Sequence, residues 1–305
     1  MLKGILPKEL EEVLAGKVGY GGINEIRLRE GKPVVVSCGM SKSYLSLSGL
    51  TKNLSTSVIA TKTMIEDVIF RASECSLYSV NEQIKKGYIV TKNGIRIGLG
   101  GTLIEEKGII KTMTNFSSVN IRIPHEVKNC SLVCYNDIVT KNGINNTLII
   151  SPPGAGKTTF LRDFVFQLSE RNLSYNVLVL DERGELNIGE KGGLGKYCDI
   201  LSFASKTVGF ENGIRSLAPD IIVTDELNES GDIDAVLHAV HSGVKVLASV
   251  HSDSIESFEA KPSFAKLLDL KVFKRFVVLS KREGPGTFEG VYDESFSRIN
   301  SWNRF

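Results

Sequence analysis

Five apolar, β-branched runs constrain the fold most: LII at 148–150, VLVL at 177–180, IIV at 221–223, VKVLASV at 244–250 and FVVL at 276–279. Helical stretches separate them. A strand that is apolar on both sides must be covered on both sides, so this alternation predicts a mostly parallel sheet between two helix layers. One of the helices is legible residue by residue. Ile233, Val236, Leu237 and Val240 form a single stripe between Asp232 and Ser242, and Gly243 ends it. Gly284-Pro285-Gly286 separates the last run from one more short strand and reads as a hairpin turn.

Residues 1–124 have a different texture and predict a smaller α+β domain ahead of the α/β domain at 125–305. A short helix at Lys8 to Leu14 leads to INEIRLREGKPVVVS, where Ile26 and Leu28 alternate with Arg27 and Arg29 before Gly31-Lys32-Pro33 turns the chain. A second helix is expected near Thr63 to Glu74, with Met64, Ile65, Val68 and Ile69 on one side. GYIVTKNGIRIGLGG then reads as a hairpin around Asn93-Gly94. After Pro124, a helix at Val127 to Val139 is expected to link the two halves.

Composition narrows the functional classes. At 305 residues, 42% apolar and 24% charged, the chain matches a globular protein with room for two cores. A formal net charge of +2 gives no field to attract nucleic acid or an anionic membrane. The five cysteines, Cys38, Cys75, Cys130, Cys134 and Cys198, are scattered without zinc spacing and read as reduced, mostly core thiols. The N-terminus lacks the long apolar region of a signal peptide, and no stretch has the length of a membrane span.

The chemistry is carried by the ends of the apolar runs. LII leads into SPPGAGKTT, which departs from the phosphate-loop pattern only in having Ser151 where that pattern has glycine. Pro153, Gly154, Ala155, Gly156, Lys157, Thr158 and Thr159 form the candidate cradle. Backbone N–H groups at the start of the following helix, Lys157 to about Leu168, would hold phosphate, with Lys157 on the β and γ phosphates and the Thr158 hydroxyl on Mg²⁺. IIVTDE ends in Asp225 and Glu226. Asp225 suits Mg²⁺ through its water shell, and Glu226 suits orienting and deprotonating an attacking water. VLVLDERGE presents Asp181, Glu182, Arg183 and Glu185, either a third functional strand end or a solvated loop. The glycine-rich NIGEKGGLGKYCD that follows reads as mobile. His251, at the end of VKVLASVH, is either a structural hydrogen-bonding residue or a sensor of the γ-phosphate, and His238 and His241 carry no assigned role.

The order of these strand ends resembles the RecA-like class of P-loop ATPases. SPPGAGKTTFLRD, VLVLDERGE and APDIIVTDE, together with the N-terminal phrases INEIRLREGKP and VNIRIPHEV, look like the stage III sporulation protein AA family, over nearly the whole chain. That family is similar to secretion-system and type IV pilus ATPases. The resemblance implies an ATP- and Mg²⁺-dependent motor, a homo-oligomer and specifically a hexamer, in the mother-cell cytoplasm of an endospore former. It also implies membrane proteins of the channel to the forespore as partners, only peripheral membrane contact, and no direct nucleic acid. It assigns nucleotide binding and hydrolysis to Lys157, Thr158, Asp225 and Glu226, matches Glu182 and Arg183 to an acidic box, and matches His251 to a histidine box.

The resemblance departs after the acidic box, where an arginine-richer loop is expected and this chain has Lys196-Tyr197-Cys198-Asp199. Arg96, Arg122, Arg162 and Arg215 are then the candidates to stabilise a transferring phosphate, and a chain without such an arginine in place is expected to be slow, because one is worth orders of magnitude in rate. Two other readings stay open. One is an ATP-gated assembly scaffold with little turnover. The other is a RecA-like nucleic-acid motor using Arg27, Arg29, Lys85 and Lys86, against which stand the near-neutral charge and 8% aromatic content.

Overall fold

The structure, a computed structural model, describes every residue except 1, 3, 40, 92–93, 124–126, 172–174, 188–193, 229 and 300–305. The described residues through Ile123 form one compact unit, and those from Val127 onward form a second.

The first unit contains α1 (Lys8–Val13), β1 (Ile23–Arg29), β2 (Val35–Cys38), β3 (Ser41–Ser46), β4 (Gly49–Thr51), α2 (Lys62–Ala72), α3 (Asn81–Lys85), β5 (Tyr88–Val90), β6 (Arg96–Glu106) and β7 (Ile109–Arg122). The strands form one antiparallel sheet in the order β4-β3-β2-β1-β7-β6-β5. The period-2 alternation of INEIRLR works as expected: Ile26 and Leu28 are fully buried while Arg29 faces out. Ile65, Val68 and Ile69 bury one side of α2, whose first turn is capped by the Thr61 hydroxyl accepting from the Met64 N–H at 3.2 Å. β5 and β6 pair antiparallel as the Asn93-Gly94 signal requires, although Asn93 itself lies outside the described residues.

The second unit contains α4 (Tyr135–Ile138), β8 (Val139–Thr140), β9 (Gly143–Ile144), β10 (Thr147–Ser151), α5 (Lys157–Glu170), β11 (Val177–Asp181), β12 (Cys198–Ser202), α6 (Lys206–Leu217), β13 (Ile221–Thr224), α7 (Ser230–His241), β14 (Lys245–His251), α8 (Ile255–Glu259), α9 (Ala265–Asp269), β15 (Arg275–Ser280) and β16 (Thr287–Tyr292). Its main sheet runs β12-β11-β13-β14-β10-β15-β16, parallel throughout except for the β15–β16 hairpin. Every residue of β10, β11 and β13 is buried. Leu148 and Ile150 belong to one apolar cluster and Ile149 to another, so the two sides of the sheet have separate cores. Among the described residues, no helix is long and apolar enough to cross a membrane.

Two expectations are corrected. Residues 127–139 do not form one helix: a turn at 128–130 is followed by a 3₁₀ turn at Leu132–Cys134 and by the single turn of α4. The cause is Asp163 of α5. Its buried carboxylate accepts the backbone N–H of Asn129 at 2.7 Å and of Ser131 at 2.8 Å, and the Ser131 hydroxyl at 2.6 Å. Those donors therefore point at a side chain instead of along a helix, and Asn129 takes a positive φ of 66°. The cysteines are not mostly core either. Cys134 is buried, Cys75 is exposed and the other three are half-buried; all five are free. Burial pushes the Cys130 and Cys198 thiols up to about 12, which keeps them protonated and unreactive.

Removing the Asp163 carboxylate leaves two backbone donors facing an empty space. Asp163→Ala is expected to lower unfolding stability by about 3 kcal/mol, read as a lower urea midpoint. A loss below about 1 kcal/mol would show that water replaces the carboxylate at those N–H groups.

Candidate nucleotide site

Parallel register builds the site. Ser151 pairs with His251 across β10 and β14, Thr224 pairs with Ala248 across β13 and β14, and Leu180 pairs with Thr224 across β11 and β13. The residues just beyond these pairs, Asp181, Asp225, Glu226 and the loop after Ser151, thus emerge side by side at the carboxyl end of the sheet, where open α/β sheets hold ligands. Ser151 is the last residue of β10 and has no positive φ, so the missing first glycine costs the loop nothing. The glycines that matter are Gly154 at φ 69° and Gly156 at φ 89°, where a side chain would be strained. Gly156 caps α5, whose open N-terminal N–H groups face the loop.

Three side chains, Lys157, Arg183 and His251, meet at Glu226. Its Oε1 lies 3.2 Å from the Lys157 ammonium and also contacts His251 Nε2, and its Oε2 contacts the Arg183 guanidinium. Lys157 in turn sits 3.0 Å from His251 Nδ1. Burial alone would raise the Glu226 carboxyl, but Arg183, then Lys157 and His251, together outweigh it and hold the group below the usual glutamate range. The backbone at Glu226 is left-handed, with φ 39°. Ser249 holds it there: the Ser249 hydroxyl accepts the Glu226 N–H at 3.0 Å and donates to Asp225 Oδ1 at 2.5 Å, while the Ser249 carbonyl accepts the Leu227 N–H at 2.8 Å. A strained residue kept in place by several bonds is a mark of a functional position.

Asp225 also accepts the Thr158 hydroxyl proton at 2.7 Å. Thr158 therefore keeps its oxygen lone pairs available, which fits a ligand to a hard cation, with Asp225 placed to accept from that cation's waters. Among the described residues no group of three or more His, Cys, Asp or Glu side chains forms a metal cage. Mg²⁺ needs none, because it keeps waters and binds through few protein oxygens plus substrate phosphate.

The acidic segment divides into separate tasks. Asp181 is buried and turned inward, accepting the N–H groups of Glu185 and Asn187, each at 2.8 Å. It shapes the loop from the wall of the cleft that Arg183 and Glu226 also line. Arg183 joins Glu226, whereas Glu182 bonds Lys206 of α6 at 2.6 Å. Lys206 is buried and also approaches Asp232 at 4.0 Å. All the same, Glu182, Arg183, Lys206, Asp225 and Glu226 line one narrow cleft. Pro153 and Thr159 flank the loop; Thr159 accepts from Arg162 at 3.2 Å. Arg162 thus bonds its own helix, Arg215 pairs with Glu211 at 3.0 Å, and Arg96 and Arg122 face each other across β6 and β7 in the first unit. Of the glycine-rich loop after Asn187, residues 188–193 lie outside the described residues, and Cys198 and Asp199 begin β12.

The family model described as "Sporulation stage III, protein AA" matches residues 2–299. A stage III sporulation protein AA from Bacillus subtilis (strain 168) is 32% identical over 301 residues, covering 95% of this chain and 94% of the relative. The chain belongs to the sporulation stage III protein AA family. This member of the family also shares its fold with two solved proteins. The Legionella pneumophila ATPase DotB is 15% identical with a TM-score of 0.55, covering 84% of this chain and 72% of its own. The pilus retraction motor PilT, solved with bound ADP, is 13% identical with a TM-score of 0.60, covering 89% and 78%. The fold is RecA-like α/β, preceded by the smaller α+β unit.

Lys206 is the site residue that motif reading passes over, and Ser249 is legible only as a polar residue at a strand end, without a role. A lysine opening a helix and a serine inside an apolar strand carry no local signal of a role; only the register of three strands and the packing of α6 give them their partners.

The ion pairs make a pH-dependent contribution to stability. A carboxylate whose folded value is depressed stabilises the native state above its unfolded value, and that contribution is lost as pH falls through the folded one. The wild-type chain is therefore expected to lose stability as pH drops below the ordinary glutamate value of 4.5. Glu226→Gln should show a shallower fall over the same range, read from thermal midpoints against pH. An identical slope in the variant would mean that Glu226 is not paired in solution.

Proposed function

We propose that this sporulation stage III AA protein is a Mg²⁺-dependent ATPase whose turnover runs between Lys157 and Glu226. The observation that carries the reading is their direct pairing at 3.2 Å, at the junction of the phosphate loop and the Asp225-Glu226 strand end. Lys157 has two competing acceptors: Glu226 without nucleotide, and the β and γ phosphates with it. Backbone N–H groups from Gly154 to Thr159 and the N-terminus of α5 receive the phosphates. Thr158 would hold Mg²⁺ directly and Asp225 would hold it through water, and the ion would supply positive charge that neutralises the phosphates.

The same exchange prepares the base. While Lys157 and Arg183 stay on Glu226, its carboxylate is ionised but a weak proton acceptor. Once phosphate draws those cations away, burial is opposed by His251 alone, and burial raises the affinity of Glu226 for a proton. Glu226 then orients the attacking water and accepts its proton as the γ-phosphorus bond to the ADP oxygen breaks, His251 bridges Glu226 to the phosphate end, and Arg183 places its charge beside the transferring phosphoryl group. Glu182, tied to Lys206, anchors the segment that carries Arg183.

On this reading the protein acts as a homo-oligomer, a hexameric ring in the mother-cell cytoplasm, touching the membrane only peripherally through membrane proteins of the forespore channel, and energises or assembles that channel. Family membership and the motor-like fold support it. The second reading is an ATP-gated scaffold. It is favoured by the engagement of both Glu226 carboxylate oxygens, one by Lys157 and His251 and the other by Arg183.

Two substitutions separate binding from chemistry. Lys157→Ala is expected to abolish binding of fluorescent ATP, and Glu226→Gln to bind it while losing at least ~100-fold in single-turnover hydrolysis. Wild-type turnover in the glutamine variant would remove Glu226 as base. No hydrolysis by the wild-type oligomer, with binding intact, would establish the scaffold.

A further inference from the structure

Among the described residues, one cation beside the phosphate loop has no anionic partner. Lys281 follows β15 in the turn that leads to β16. Its ammonium nitrogen lies 3.2 Å, and its ε-carbon 3.5 Å, from the point where a β-carbon on Gly154 would stand. The turn is fastened there. The Gly286 N–H donates to the Ala155 carbonyl at 3.1 Å, and Gly286 Cα and N are each 3.3 Å from where a β-carbon on Gly156 would stand.

Nearby acids are engaged elsewhere. Glu289 accepts the Ser280 hydroxyl at 2.6 Å and pairs with Arg282 at 3.3 Å, and Glu283 pairs with Arg282 at 3.6 Å. Among the described residues, no carboxylate pairs with Lys281. The side chain is exposed and could swing into water, yet it lies against a loop that leads into the positive end of the α5 dipole. A lone ammonium, a helix N-terminus and a loop of glycine N–H groups are all electropositive. What reconciles them is an anion bound among them.

We propose that Lys281 is a second phosphate-binding cation, contributed by the β15–β16 turn, that closes over the phosphate chain of a nucleoside di- or triphosphate held by the loop. This rests on the phosphate-loop reading above. It gives Gly154 a further requirement, since any side chain there would displace the ammonium. It also makes the hairpin part of the nucleotide site, so that the last strands of the sheet respond to whether phosphate is bound.

The experiment titrates the full chain with N-methylanthraniloyl ADP and ATP at several salt concentrations, using wild type, Lys281→Gln, Lys281→Arg and Lys157→Ala. Loss of one charge-assisted contact is expected to weaken binding in Lys281→Gln roughly ten-fold. Lys281→Arg should stay within about three-fold of wild type, and the glutamine variant should show a weaker salt dependence. Lys281→Met repeats the measurement if the glutamine variant does not melt as wild type does. Binding by Lys281→Gln within about three-fold of wild type, while Lys157→Ala abolishes it, overturns the Lys281 assignment alone. No binding of either nucleotide by wild type overturns the phosphate-loop reading and this one with it.

Discussion

Ser151 and His251 face each other across two parallel strands, Thr224 and Ala248 do so one strand further on, and every functional side chain of the second unit depends on that alignment. The side-chain period of a strand is two residues, so a slip of one residue in β14 would turn Ser249 from Asp225 into the opposite core and leave the Glu226 N–H without its acceptor. The continuous burial of β10, β11 and β13 resists such a slip, because both sides are filled with packed apolar side chains. Each fully buried Leu, Ile or Phe is worth about 1.5–3 kcal/mol relative to exposure. The hydrophobic core thus sets the position of polar atoms that contribute little to stability themselves.

Charge at the strand ends is balanced locally, which is why so many ionisable groups can share a half-buried place. Lys157 and Glu226 are both buried, and each would be costly alone. Arg183 and His251 complete a cluster in which the carboxylate oxygens are fully occupied. Lys206 repeats the arrangement next door with Glu182 and Asp232. Around Glu226 the cations Lys157 and Arg183 have a protein anion and are also the groups suited to phosphate, so the cluster is poised for exchange of partners. The positive φ of Glu226 adds strain that the Ser249 and Asn228 contacts hold in place, with the Asn228 amide donating to the Glu226 carbonyl at 3.1 Å.

Much of this arrangement is legible in the residues because it is local. Apolar runs identify the five central strands, and SPPGAGKTT and IIVTDE identify what their ends carry. What is not legible depends on contacts distant in sequence. Ser41 to Thr51 forms β3 and β4, yet its serine-rich pattern has no clear apolar alternation; the pairing with β2 makes it a sheet edge. Residues 127–139 look helical by composition, but Asp163, more than thirty positions away, captures the backbone donors a helix would use. Glu182 and Arg183 are adjacent in a strand-end turn and so diverge, one toward Lys206 and the other toward Glu226, which no reading of DER as a unit can separate.

The β15–β16 hairpin completes the logic of the sheet. A parallel sheet needs crossover helices, and its last strand would otherwise present an open edge beside the phosphate-loop strand; an antiparallel partner covers that edge with a short turn in place of another helix. A short turn cannot reach far, so it lies directly on the loop next door, and Gly286 bonds Ala155. Close approach of the two backbones demands a small residue at Gly156, where a β-carbon would stand 3.3 Å from Gly286, whereas Gly284 and Gly286 serve the turn through positive φ of 120° and 90°. The glycines of the phosphate loop therefore answer two demands at once: the left-handed backbone that directs N–H groups toward phosphate, and the clearance that lets the hairpin and its lysine lie against them.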